Sequence, residues 1–172
     1  MKKFTWLLLP ILFVLLAGCK QKPVVPVSFS PPDNSFTISM LGTPKSVPMP
    51  NAANFNGGGM YALDHLVDGQ LFIAGYFDLK DTPTNHMSDN LDRFRDNVMQ
   101  GGKNTLLSED TIRVDGNTGR DLRLQNTSGR TIHIRFVLVG MRVYLVQVVS
   151  EPNIKDDTPV STAFFDSFHI NS

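Results

Sequence analysis

Hydrophobic and polar positions along this chain fall into two regimes. From Phe4 to Leu16, thirteen residues form an almost unbroken apolar run behind Met1-Lys2-Lys3. Beyond Asp33 the apolar positions alternate or recur. Phe36-Thr-Ile-Ser-Met40 alternates with period two and predicts a half-buried strand. Pro44, Pro48 and Pro50 interrupt the chain beyond that strand, and Asn56-Gly57-Gly58-Gly59 predicts a flexible turn. Met60–Leu66 and Leu71–Leu79 read as strands joined through Val67-Asp68-Gly69-Gln70, where an Asp-Gly pair between apolar runs signals a hairpin.

A helix is predicted from Ser88 to Gly102. Ser88 is the expected N-cap, Asp89 and Asp92 suit the positive end of the helix dipole, and Gly101-Gly102 ends the pattern. Leu91, Phe94 and Val98 recur at helical spacing, whereas Arg93, Arg95 and Asp96 fall off that stripe and are expected in solvent. A meander comes next: Thr105–Val114, a turn at Asp115–Gly119, Arg120–Gln125, a turn at Thr127–Gly129, Thr131–Val139, then Gly140-Met141 and Arg142–Val149. The last two runs are the most apolar and are expected as the central pair. Thr158-Pro159 is an N-cap and first-turn pair for a short helix through Phe165, and Ser167–Asn171 closes as a strand. Strands, helix, meander, helix and strand make an α+β domain, helices covering a mostly antiparallel sheet.

Composition sharpens this. The acidic residues are 14 Asp against 2 Glu, and aspartate favours caps and turns over helix interiors. Equal numbers of basic and acidic groups, 16 of each, give no charge excess for tracking phosphates, so no nucleic-acid partner is expected. The single cysteine excludes an internal disulfide, a CxxC pair and a cysteine-rich zinc site.

Thirteen apolar residues containing Pro10 fall short of the roughly 20 needed to span a bilayer, and the flanking lysines mark a secretory signal peptide. Leu16-Ala17-Gly18-Cys19 resembles the lipobox of bacterial lipoproteins. The resemblance implies cleavage before Cys19, a diacylglycerol thioether on its sulfur and usually acylation of the new amino group; two or three chains anchor stably where one does not. Lys20 stands where an Asp would mark inner-membrane retention, so in a double-membrane bacterium the resemblance implies the outer membrane. Loss of residues 1–18 takes Lys2 and Lys3 with it, leaving 14 basic and 16 acidic groups. Residues 19–33 carry four prolines between Lys20 and Asp33 and are expected as a semi-extended tether, Val27–Phe29 being able to dock on the domain of residues 34–172.

The order of five further motifs resembles the PsbP-like superfamily: Phe36–Met40 running to Gly42-Thr-Pro44, the helix ending in Gly101-Gly102, Val114-Asp-Gly-Asn-Thr-Gly-Arg120, Arg142-Val-Tyr-Leu-Val146, and Phe164-Phe-Asp-Ser-Phe168. The resemblance spans roughly residues 34–171. It implies an α/β/α sandwich and members that mostly act by docking to partners. No functional residue carries over.

Candidates for chemistry are few. Asp115-x-Asn117-x-Gly119-x-Asp121 has the outline of a calcium loop, but glycine replaces a ligand and no Glu stands at the twelfth position; a hairpin turn using Gly116, Asn117 and Gly119 accounts for it. His65, His86, His133 and His169 lack metal-ligand spacing. His133 is expected opposite Ile132 and Ile134, and His65 and Asp64, read as strand neighbours, should point apart. Gly57-Gly-Gly59 lacks the Lys-Ser/Thr of a phosphate loop, and Asn126-Thr-Ser128 is a sequon better read as a turn. The methionines are too scattered for a copper tract. Arg120, Arg123, Arg130, Arg135 and Arg142 crowd the meander and are expected on a solvated face balanced by aspartates; sharing one face, they would suit an acidic partner or a lipid head group. The expectation is therefore a lipid-anchored extracytoplasmic binding module docking an envelope protein, not an enzyme, with no cofactor, no metal and Cys19 as the lipid-attachment residue. The alternative is a carrier or sensor of a small apolar or lipid ligand held between sheet and helix.

Overall fold

The computed structural model describes residues 25–80 and 87–171, with Met87 described by its backbone only. The apolar run, Cys19, Lys20 to Val24 and His86 lie outside the described residues.

Seven strands form one antiparallel sheet: β3 (Lys45–Val47), β4 (Phe55–Ala62), β5 (Gln70–Leu79), β6 (Thr105–Val114), β7 (Asn117–Gln125), β8 (Thr131–Val139) and β9 (Arg142–Ser150). Their order is β3-β4-β5-β9-β8-β7-β6. The predicted meander closes by hairpins from β6 to β9, and β9 is central with β8 beside it, as their apolar runs require. Both strands bury side chains on both faces. A second sheet, β1-β2-β10, pairs β1 (Val27–Phe29) and β10 (His169–Ile170) antiparallel to β2 (Phe36–Met40). β10 falls inside the Ser167–Asn171 strand expected from the sequence and β1 is the segment expected to dock; what no local pattern gives is the β2–β10 pairing, which joins residues more than a hundred positions apart.

Two cores result from the period-two alternation. On one face, Phe72 and Ala74 of β5 and Tyr144, Val146 and Val148 of β9 pack under β2 and the helix α2 (Pro159–Asp166), which contributes Phe164 and Phe165. On the other, Leu122, Leu124, Ile134, Phe136 and Leu145 pack under α1 (Met87–Gly102) through Leu91, Phe94 and Val98. The Phe94 ring lies 4.5 Å from Phe136 and 5.3 Å from Phe77. Fully burying a side chain such as Phe36 or Phe72 stabilises by about 1.5–3 kcal/mol.

Several local readings change. Asn56–Gly59 is not a turn but part of β4, because its glycines let that strand lie close on β5: a Cβ on Gly58 would stand 2.5 Å from the Tyr76 carbonyl. The strand expected to run to Leu66 ends at Ala62, and a three-residue edge strand, β3, fits between Pro44 and Pro48. Ser88 is the second residue of α1 rather than its cap. The turn at Asp115–Gly119 is only Asp115-Gly116, both at positive φ (47° and 82°), and Asn117 already belongs to β7. Thr158 caps α2 as expected, its Oγ1 accepting from the Ser161 N–H at 3.1 Å, with Pro159 in the first turn.

Candidate functional site

On the α2 face of the sheet, β7 and β8 bring His133, Asp121 and Arg135 together. They are register partners or diagonal neighbours, because Asp121 stands opposite Arg135 and Arg123 opposite His133. Asp121 accepts from His133 Nε2 and from Arg135 Nε, each at 2.6 Å. Since a carboxylate only accepts, Nε2 is assigned the proton. Phe165 of α2 closes the cluster, its ring centroid 4.1 Å from the imidazole and 4.8 Å from the Arg135 guanidinium carbon. Burial pushes the Asp121 carboxyl up, but hydrogen bonds from His133 and Arg135, with their charges, outweigh it and hold the group below the ordinary carboxylate range.

An imidazole oriented by a carboxylate has the outline of a general base. Here its second nitrogen is shut in: His133 is 6% exposed, and its Nδ1 is buried without a partner among the described residues. The arrangement clamps α2 to the sheet instead of presenting a base to a substrate. It agrees with the sequence reading that put His133 opposite Ile132 and Ile134.

The meander arginines are paired one by one. Arg120 reaches Asp92 at 2.8 Å and Glu109 at 3.1 Å on the α1 face, where Arg95 meets Glu109 at 3.1 Å. Arg123 meets Asp156 at 2.6 Å and Arg130 meets Glu151 at 2.8 Å. Arg142 binds Asp78 and Asp33, each at 2.6 Å, and lies 4.2 Å over the Tyr76 ring. They occupy both faces of the sheet, and all but Arg130 have side chains no more than about a third exposed. The aspartate balance expected from the sequence holds; the solvated, shared face does not. Arg95, expected in solvent, instead bridges α1 to β6.

The Asp33–Arg142 contact ties the entrance of β2 to the start of β9. Burial, then the neighbouring Asp33, pushes the Tyr76 hydroxyl up to about 12, so it stays protonated. Asp64 and His65 do meet, at 2.8 Å, contrary to the strand-neighbour argument, because both lie in the loop beyond β4. His65 and then Lys45 hold the Asp64 carboxyl down to about 2. The outlined calcium residues serve the fold: Asp115 accepts from the Ile170 N–H at 2.7 Å and Asp121 from His133. Among the described residues, no group of three or more potential metal ligands converges, and no helix is long and apolar enough to cross a membrane.

A concave surface lies beside the small sheet. An apolar groove of about 250 Å³ lies between β2 and α2, walled by Leu41, Pro159, Val160, Ala163 and Phe164, with Pro26 at its rim. Sequence reasoning placed a ligand space between sheet and helix without choosing the helix. It missed Gln70 altogether, read as a turn residue. At 1% exposure Gln70 donates to Ser150 Oγ (3.0 Å) and the Lys155 carbonyl (3.1 Å) and accepts from Thr158 Oγ1 (3.0 Å), locking the loop that starts α2. Those partners are 80 or more positions away, so no local pattern marks it.

No family model matches the chain, and no curated protein matches it. Among solved structures it is similar to the solution structure of cyanobacterial PsbP (CyanoP) from Synechocystis sp. PCC 6803, at 12% identity and TM-score 0.60, over 90% of this chain and 96% of that one. A Pseudomonas aeruginosa protein of unknown function overlaps more loosely, at 13% identity and TM-score 0.44, over 70% of this chain and 86% of that one. The first likeness shows the fold alone: an α+β domain folded like CyanoP, mostly antiparallel, with two helices among the described residues.

Proposed function

We infer that this chain is a lipid-anchored module of the cell envelope that works by binding another envelope protein, not by catalysis. The observation that carries the reading is the N-terminus: two lysines, a thirteen-residue apolar run and Leu16-Ala17-Gly18-Cys19, with the chain's lone cysteine at the lipidation position. Where the domain begins adds a constraint. Val27–Phe29 is already paired with β2, so only eight positions separate Cys19 from the first strand residue. At about 3.1 Å per residue for a proline-rich extended segment, the domain stands within about 25 Å of the anchor. A partner reached from there is membrane-bound or membrane-proximal. With Lys20 after the cysteine, the membrane is the outer one where a cell has two. Within this reading α1, the large sheet and α2 are the α/β/α layers, the small sheet being an addition on the α2 side.

A second reading rests on the groove between β2 and α2: a small apolar or lipid fragment carried there. Its volume, about 250 Å³, is below the usual range for drug-sized ligands and suits a short acyl segment.

Replacing Cys19 by Ser is expected to release the chain from the membrane fraction or leave its signal uncleaved. A cleaved Cys19→Ser product that still partitions with detergent overturns the anchor. Crosslinking in intact envelopes is expected to capture one protein in fixed stoichiometry. A ligand retained in native mass spectrometry, with no such protein, favours the carrier.

A further inference from the structure

We propose that β6 is a pairing edge, and that its occupant is β6 of a second copy of this chain, joined antiparallel about Thr111. The strand closes one side of the seven-stranded sheet, is ten residues long, and among the described residues has no neighbour beyond it. Thr105–Val114 contains no proline and no lysine; its charged side chains are Glu109, Asp110 and Arg113, and its one irregularity, between Leu106 and Ser108, sits at its start.

The turn decides which groups face outward. Val114 and Asn117 flank the two-residue Asp115-Gly116 turn, whose two positive φ angles make Val114–Asn117 a hydrogen-bonded pair. Alternation then turns the N–H and C=O groups of Ile112 and Asp110 toward β7, and those of Arg113, Thr111 and Glu109 away from the sheet. Two such edges can pair about a two-fold axis only with odd positions opposite odd ones. Centring on Thr111 sets Thr111 against Thr111 and Glu109 against Arg113 twice over. Each of these is a pair that exchanges both backbone bonds. A shift of two positions one way sets Asp110 against Asp110; the other way removes both opposite-charge pairs. Of these three registers only the Thr111-centred one sets Glu109 against Arg113 on both sides, with Asp110 against Ile112 on the other face.

The side chains agree. Among the described residues, every other strand arginine has a carboxylate partner, whereas Arg113 has only the Gly116 carbonyl, at 3.2 Å. In the pair it lies across from Glu109, beside Arg95, Arg120 and Asp92. There is room: α1 stands over β7 and β8. At about 4.8 Å per strand, β7 and its mate are roughly 14 Å apart, beyond the 8–10 Å of packed helices.

The test uses the full chain in detergent. Thr111→Cys should form an intermolecular disulfide under mild oxidation that the parent, with Cys19 alone, does not form. Facing Cα atoms of a bonded pair are about 5.5 Å apart, inside the disulfide range. Asp110→Cys, offset from its own mate, should crosslink poorly. By analytical ultracentrifugation, Arg113→Glu should weaken the dimer about tenfold by facing like charges. Thr111→Pro removes an outward N–H, leaves the ladder to β7 intact and should give a folded monomer by circular dichroism. A parent chain that is monomeric throughout, or a dimer unmoved by both Arg113→Glu and Thr111→Pro, overturns the proposal.

Discussion

Asp121 holds two cationic or donating partners with one carboxylate, 2.6 Å from each, while its side chain is 13% exposed. Its carboxyl is depressed in the folded state by His133 and Arg135 despite burial. A group whose folded pKa lies below its unfolded value, about 3.9, contributes stability that is present above that value and drains as pH falls through the folded one. Asp121→Asn is therefore expected to cost about 2 kcal/mol at neutral pH, through Arg135 losing its nearer charge partner beside Phe165 and keeping only Asp166 at 3.5 Å. Thermal melts taken from pH 7 down to pH 3 should show the gap to the parent closing in the acid range. A gap constant with pH would mean that packing, not the carboxylate, is what the substitution removes.

At the scale of elements, β7 shows how one residue type serves two ends. Gly116, in the turn, has φ 82° and open space around a would-be Cβ; Gly119, inside the strand, would set a Cβ 2.3 Å from the Phe136 carbonyl of β8. The first residue answers a torsional demand, the second a close approach of backbones. Gly119→Ala should cost about 3 kcal/mol, since the obstacle is a main-chain atom in the central sheet. Gly116→Ala should cost about 1 kcal/mol, the penalty of a left-handed alanine. Urea midpoints of the two variants give the order directly, and equal midpoints would remove the distinction. Spacing alone marks both glycines as turn residues, as it marks Ser88 as a cap. Thr158 kept its predicted role because Pro159, fixed in the first turn, leaves its neighbour little alternative.

At the scale of the molecule, the first described strand decides where tether becomes domain. Phe29 lies 4.8 Å from Tyr61 and 6.2 Å from Phe36, so a segment with tether-like composition closes part of the core. Phe29→Ala should lower stability by about 2 kcal/mol. It should also expose residues 25–35 to limited proteolysis, detected by mass spectrometry of the fragments. If residues 27–29 were only tether, neither stability nor cleavage would change.

By itself the sequence determined what neighbouring residues settle between them. That includes the apolar run before Cys19, the bounds of β2, β6 and β8, the amphipathic stripe of α1, the Thr158 cap and the hairpins of the meander. Period, cap and turn chemistry act over a few bonds, and the chain writes them in order. Tertiary structure alone decided which element covers which face. It sent Arg120 to α1 while Arg135 and His133 went under α2, buried Gln70, sealed the imidazole behind Phe165, and left β6 without a neighbour among the described residues. Alternation says that two side chains point to opposite faces, not what will cover them. That answer is a sum of contacts between residues tens to more than a hundred positions apart, and no local pattern carries it.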